Sequence, residues 1–231
     1  MISAFTRLLD LISPRQCASC GGRLTTTEQV ICANCLLHLP RTNHAAQPYD
    51  NELAQRFWKL LPIEKAAAYF YFHSETDTSR MIYRFKYGTQ PTIARHLGML
   101  AAKEMQASGF FEGIDIMVPV PLTRKRRLER GYNQSVEIAK GISEVTNLPI
   151  SKSVICRKSF KESQTLLRGF QRLENVKNAF ELTNAKSIEG KHVLIVDDVA
   201  TTGATICACG EELAKADNIR ISVMTLGFTK D

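Results

Sequence analysis

Residues Lys191 to Thr205 read K-H-V-L-I-V-D-D-V-A-T-T-G-A-T, and no other stretch narrows the possible folds of this chain so far. Val193 to Val196 are consecutive apolar residues rich in β-branched types, which suits a strand buried on both faces of a parallel sheet. Two carboxylates follow. Side chains alternate across a strand, so Asp197 and Asp198 share a side only if the strand is finishing there. The expectation is therefore a carboxyl edge, where open α/β sheets bind ligands. Thr201-Thr202-Gly203-Ala204-Thr205 then places hydroxyls around one glycine, and Ile206 to Ala216 reads as a helix. Strand, hydroxyl-rich turn and helix N-terminus make an anion site: backbone N–H groups and the helix dipole face the anion, Gly203 permits close approach, and the threonine hydroxyls donate. A phosphate fits this cup. The carboxylates beside it would repel a second phosphate and suit instead neighbouring hydroxyls, as on a ribose, or an oxygen-liganded Mg²⁺.

A second constellation lies near the N-terminus. Cys17-Ala-Ser-Cys20-Gly-Gly and Cys32-Ala-Asn-Cys35 are two C-x-x-C knuckles separated by eleven residues. Each can turn two thiolates toward one point, and four thiolates satisfy a tetrahedral Zn²⁺ completely, which is the structural arrangement. Redox chemistry is the competing reading of any C-x-x-C, but it needs only one pair. Seven cysteines without an export signal argue against a disulfide framework. Cys156, Cys207 and Cys209 have no ligand spacing and are expected to be small buried or half-buried residues.

Apolar content of 44% and charged content of 23% in 231 residues describe a globular chain with room for one ordinary domain and a small one. No apolar run approaches bilayer-spanning length. Met1 to Ile12 sets apolar residues at helical spacing, interrupted by Arg7 and Asp10 and with no cleavage site after it. The reading is an amphipathic helix rather than a signal peptide, and a cytoplasmic protein without membrane insertion. Part of the net charge of +7 is concentrated in Arg124, Lys125, Arg126, Arg127 and Arg130. That cluster could meet nucleic acid or polyphosphate, or be a solvated helix face.

In chain order, Arg41 to Tyr49 reads as a linker, a helical segment starts at Asn51, and Ala66 to Phe72 has strand character. Thr78 to Tyr87 and Pro91 to Gln106 read as two helices, and Ile114 to Pro121 as a buried strand. The basic run is followed by a helix over Ser135 to Val145. Val154 to Arg157 is a short strand, and Ile219 to Phe228 a last one. Between the core strands, Lys158 to Asn175 is a long polar excursion of the kind that is uncommon unless functional. Strands alternating with helices imply a parallel sheet with right-handed crossovers.

The stretch V-L-I-V-D-D-V-A-T-T-G-A-T resembles the phosphoribosyl-diphosphate (PRPP) signature of the type I phosphoribosyltransferases. The zinc knuckles, R-F-K-Y-G at Arg84–Gly88, V-P-V-P before the basic run, R-G-Y-N-Q at Arg130–Gln134, and Gln164, Arg172 and Asn175 follow in an order that resembles the ComF family. The resemblance implies a type I phosphoribosyltransferase-like parallel sheet flanked by helices over residues 63–231. An N-terminal helix, zinc-ribbon and linker would occupy residues 1–62. It implies PRPP binding by Asp197, Asp198, Val199, Ala200, Thr201, Thr202, Gly203, Ala204 and Thr205, with the acidic pair on the ribose 2′ and 3′ hydroxyls and the loop on the 5′-phosphate. Lys86, Arg124, Lys125, Arg127, Gln164 and Arg172 become candidates for contact with pyrophosphate or for the loop that closes the site. Mg²⁺ is implied with PRPP and structural Zn²⁺ at the four cysteines. Two functions are implied: a transferase releasing pyrophosphate, linked to competence and DNA uptake, or a non-catalytic PRPP sensor that holds single-stranded DNA or a DNA-uptake partner.

Overall fold

The computed structural model describes residues 14–58, 60–88, 90–158 and 179–230. The expected Met1–Ile12 helix and most of the Lys158–Asn175 excursion, with Gln164 and Arg172, lie outside the described residues.

The main sheet is built from β1 (Ala66–Tyr71), β2 (Ile116–Pro119), β5 (His192–Ala200) and β6 (Arg220–Phe228). Their spatial order is β1-β6-β5-β2, and every pairing is parallel. Strand pleating divides the apolar residues between two cores. Tyr69, Met117, Leu194, Val196, Met224 and Leu226 face one, and Ala68, Val118, Val193, Ile195 and Val223 the other. The first core is covered by α3 (Asp77–Tyr87), α4 (Pro91–Gln106) and α6 (Gln134–Thr146). The second is covered by α2 (Glu52–Phe57) and α7 (Ala204–Leu213). A sheet buried on both faces needs the near-continuous apolar strands that the sequence shows.

Three expectations are corrected. Val154–Arg157 does not join the core sheet: β3 (Ile155–Arg157) pairs antiparallel with β4 (Phe180–Leu182), a strand the sequence reading missed, in a separate two-stranded sheet. This leaves Cys156 exposed, while Cys207 and Cys209 are buried. The central strand also does not finish at the aspartates. β5 stays paired with β6 as far as Ala200 opposite Phe228.

Helices α4 and α6 meet backbone to backbone. A Cβ at Gly98 would stand 2.3 Å from the Ile138 carbonyl oxygen, and one at Gly141 1.9 Å from that of Arg95. Only glycine permits this approach. The Arg95–Glu144 ion pair closes the outer side of the contact.

The knuckle segment has few buried residues of its own. Cys17, Ala18, Leu24 and Ile31 share the core of Met81, Ile82 and Phe85 on α3. Arg84 donates to the Cys17 carbonyl at 3.0 Å and Arg80 to that of Ser19 at 3.1 Å. The second knuckle opens the short helix α1 (Ala33–Leu37), which contains Cys35 and is capped by the Cys32 side chain.

Candidate functional site

The carboxyl edge of the sheet opens where β2 stops. Its last pair is Pro119 with Val196, and Pro119 and Pro121 cannot donate to a continuing ladder. Beyond that point β5 is unpaired on its β2 side, and Asp197 and Asp198 border a cleft of about 340 Å³. The pleat still divides them. Asp198 follows Leu194 and Val196 in register toward α3, and Asp197 follows Val193 and Ile195. Both reach one cleft because it straddles the open strand edge rather than lying on one face.

Each carboxylate has a distinct environment. Lys86, at the end of α3, places its Nζ 2.8 Å from Asp198 Oδ1. Asp197 Oδ1 accepts from the Ser135 hydroxyl at 3.0 Å and from the Asp198 N–H at 2.9 Å. Burial, then the neighbouring Asp198 charge, pushes the Asp197 carboxyl up to about 7, and the hydrogen bonds and Lys86 offset this only in part.

The R-G-Y-N-Q segment explains how Ser135 arrives there. The short helix α5 (Arg124–Arg130) ends at Gly131, whose φ of 76° is the left-handed conformation that glycine adopts freely. The Tyr132 hydroxyl donates to the Phe85 carbonyl, tying the turn to α3. Asn133 donates to Val120 O at 3.0 Å, and its side-chain oxygen accepts from Ser135 N–H as the cap of α6. The capped end of α6 is thereby directed at Asp197.

The hydroxyl loop closes the opposite side. Gly203 has φ 76° and precedes α7; Thr201 and Thr205 line the cleft, and Thr202 is exposed. The Thr202 hydroxyl accepts from Ala204 N–H at 3.4 Å. Ala200 is buried and contributes backbone, its carbonyl accepting from Thr229 N–H at 3.0 Å. Val199 also borders the cleft.

Cations frame the mouth. Arg126 and Arg130, one turn apart on α5, line the cleft together with Arg157 of β3. Arg124, Lys125 and Arg127 are exposed on α5 and do not line it. Burial, with Arg126 close by, lowers the pKa of Arg157, whose guanidinium lies 5.1 Å from the Phe180 ring centroid. Ser135, Arg157 and Arg56 are site neighbours that the sequence reading did not single out. Each is brought from a distant element, and no local pattern marks it.

The four knuckle sulfurs all lie within 4.8 Å of one another, and Cys20 Sγ and Cys32 Sγ are 3.9 Å apart. Zn–S bonds of about 2.3 Å set a tetrahedral S–S edge of about 3.8 Å, so the donor set fits one zinc with no open position. Gly22 N–H donates to Cys20 Sγ at 3.4 Å, and Cys32 N–H donates to Cys17 Sγ at 3.3 Å, a bond that favours the thiolate of Cys17. The acid pair offers the hard oxygen donors that suit Mg²⁺.

A parallel sheet with an acid pair and a hydroxyl-rich loop at its carboxyl edge defines an α/β domain with its cleft at the strand ends. The profile of the family described as "Phosphoribosyl transferase domain" matches residues 89–227, and the chain belongs to this family. Its relatives extend over nearly the whole chain, as the resemblance to the ComF family anticipated. Competence protein F of Haemophilus influenzae is 28% identical over 226 residues, covering 91% of this chain and 96% of its own. The DNA utilization protein YhgH of Escherichia coli is 28% identical, covering 91% and 88%. Competence protein ComFC of Bacillus subtilis is 27% identical, covering 92% and 85%. Among the described residues no helix is long and apolar enough to cross a membrane.

Proposed function

We propose that this chain binds PRPP with Mg²⁺ in the cleft and transfers its ribosyl phosphate to an acceptor, releasing pyrophosphate. The observation that carries this reading is the side-by-side placement of Asp197–Asp198 and Thr201–Thr205 along one cleft edged by Lys86, Arg126, Arg130 and Arg157. The acids accept hydrogen bonds from the ribose diol, and the loop donates backbone N–H groups and hydroxyls to the 5′-phosphate. The arginines face the diphosphate and stabilise negative charge as it develops on the leaving group. Lys86 is paired with Asp198 and must share it with the incoming diol. Mg²⁺, when bound, neutralises diphosphate charge and orients the leaving oxygens. Zinc at Cys17, Cys20, Cys32 and Cys35 is structural in this proposal, and residues 1–62 form the unit it organises.

Calorimetry with PRPP and Mg²⁺, followed by a pyrophosphate-release assay over amines and nucleobases, tests the reading. Asp198→Asn keeps the size of the side chain but loses a charged acceptor, which weakens binding by roughly 1.5–3 kcal/mol. Wild-type protein that binds no PRPP, or an Asp198→Asn variant that binds it equally well, would refute the proposal.

A second reading is favoured by one surface. Helix α5 buries none of its residues, and beside it Tyr83 and Tyr87 are 48% and 70% exposed, with the Arg130 guanidinium 5.3 Å from the Tyr87 ring centroid. Exposed aromatic rings among cations are a stacking platform for single-stranded nucleic acid. Here a cytoplasmic PRPP-sensing protein holds DNA or a DNA-uptake partner, consistent with the competence and DNA-utilization names of its relatives. PRPP binding without pyrophosphate release from any acceptor would select it.

A further inference from the structure

The segment preceding β1 lies outside residues 89–227, yet it touches the phosphate loop at two consecutive residues. Arg56 Nη1 donates to the Thr201 carbonyl, and the same guanidinium lies 4.7 Å from the Phe228 ring centroid, which fixes its approach. Phe57, fully buried, lies beneath Gly203: a Cβ there would stand 2.9 Å from Phe57 Cε1. Leu61 fills the corresponding place beneath Gly210 on α7. The start of α2 is equally fixed, because Asn51 caps Leu53 and Ala54 and donates to Ala66 O at 2.8 Å.

A peptide unit is planar and trans, so its C=O and the following N–H point in opposite directions. Holding the Thr201 carbonyl toward α2 therefore orients the Thr202 N–H away from it. It also keeps a partially negative oxygen from turning toward an anion in the loop. The cation doing so stands at the end of the site where the loop itself supplies only neutral donors.

We propose that Arg56 is a positioning residue for the phosphate loop, so that recognition of the phosphoryl group on a sugar phosphate depends on a residue outside the phosphoribosyl transferase domain match. This rests on the PRPP reading and deepens it. Arg56 acts on the 5′-phosphate end through Thr201 and has no role at the diphosphate end, where Arg126, Arg130 and Arg157 stand.

The test uses the full chain and three probes titrated in the presence of Mg²⁺: ribose 5-phosphate, PRPP and inorganic pyrophosphate. Arg56→Met keeps an unbranched apolar stem and removes the donor. It is expected to weaken ribose 5-phosphate and PRPP about tenfold or more, the size of one lost charged hydrogen bond, while pyrophosphate affinity stays within about twofold. Arg56→Lys, which restores the charge, should recover part of the loss. Thermal unfolding of each variant identifies a folding defect, and if Arg56→Met unfolds, Arg56→Lys and Arg56→Gln carry the same comparison. Equal loss for all three probes would mean general loosening, and no loss for ribose 5-phosphate would mean that the loop holds itself; either overturns the proposal. Wild-type protein that binds none of the probes would instead overturn the PRPP reading beneath it.

Discussion

The cysteine knuckles and the sheet-edge cleft are both candidate sites for a small ligand, but they are made in different ways. The cleft is set in a four-stranded sheet buried on both faces, and its carboxylates are placed by backbone pairing as far as Ala200. The first knuckle is a loop closed by the antiparallel bridge of Gln16 with Arg23, the second runs into a short helix, and the bonds from Ala18 N–H to the Val30 carbonyl and from Cys32 N–H to the Cys17 sulfur tie the two together. Their neighbours on α3 supply much of their core. The proposed sugar-phosphate site is thus shaped by the sheet, whereas the proposed zinc site has little secondary structure of its own to shape it.

The largest effect that would sharpen this contrast is metal removal. Chelation, or Cys17→Ser, should abolish tight zinc binding and raise amide exchange across residues 17–37, because metal-binding free energy is folding free energy in such segments, about 10 kcal/mol or more in small zinc peptides. The core strands should keep their protection. Elemental analysis with hydrogen exchange checks both parts, and equal loss of protection in β5 would break the comparison.

A smaller effect belongs to the sheet edge. An unfolded Asp197 titrates in the ordinary carboxylate range near 4, while the folded one holds its proton to about 7. Between those values the native protein binds more protons than the unfolded chain, so this group's contribution to stability falls as pH rises through the window and stays low above it. Asp197→Asn should therefore stabilise the ligand-free protein at pH 8 by roughly 1–2 kcal/mol while weakening PRPP binding. In the wild type, PRPP affinity should rise over the same window as the acceptor ionises. Denaturant melts at pH 5 and pH 8 with calorimetry at both would show it; a wild-type affinity independent of pH would contradict the ionisation argument.

The smallest effect concerns α5. Neutralising Lys125 and Arg126 should flatten the salt dependence of binding to single-stranded DNA by about one unit of slope or a little more, since each lost phosphate contact removes counterion release. Lys125 lies outside the cleft and Arg126 lines it, so the single variants separate nucleic-acid from PRPP contacts. An unchanged slope assigns α5 to solvation.

What could be read beforehand follows the range of the interactions. The phosphate loop is legible because strand, acids, hydroxyls and glycine are contiguous. Helix Pro91–Gln106 is found with the expected bounds because proline opens it and its apolar spacing is regular. The basic run reads as a solvated helix face or a polyanion contact, and α5 is such a helix, although with no buried residue it has no apolar face to fix its bounds. β3 was legible as extended chain but not as a member of a separate sheet, because its partner β4 lies on the far side of the polar excursion. Asp198 was legible, while its pairing with Lys86, from a helix more than a hundred residues away, was not. The R-G-Y-N-Q segment could be matched as a pattern, but its work at Phe85, Val120 and Asp197 needs the three-dimensional chain.

The crossing of α4 and α6 has a further consequence. Where Gly98 and Gly141 bring backbone against backbone, no rotamer change can take up slack between the helices. The strut that carries Ser135 to Asp197 is thus stiff, and on the PRPP reading a sugar phosphate entering the cleft would meet a wall whose ordering entropy was lost during folding. The entropy change on binding is left to the ligand and to the loop at Thr201–Thr205. A methyl group at position 141 would be felt at the cleft as looseness, although it lies nearly two helical turns from Ser135.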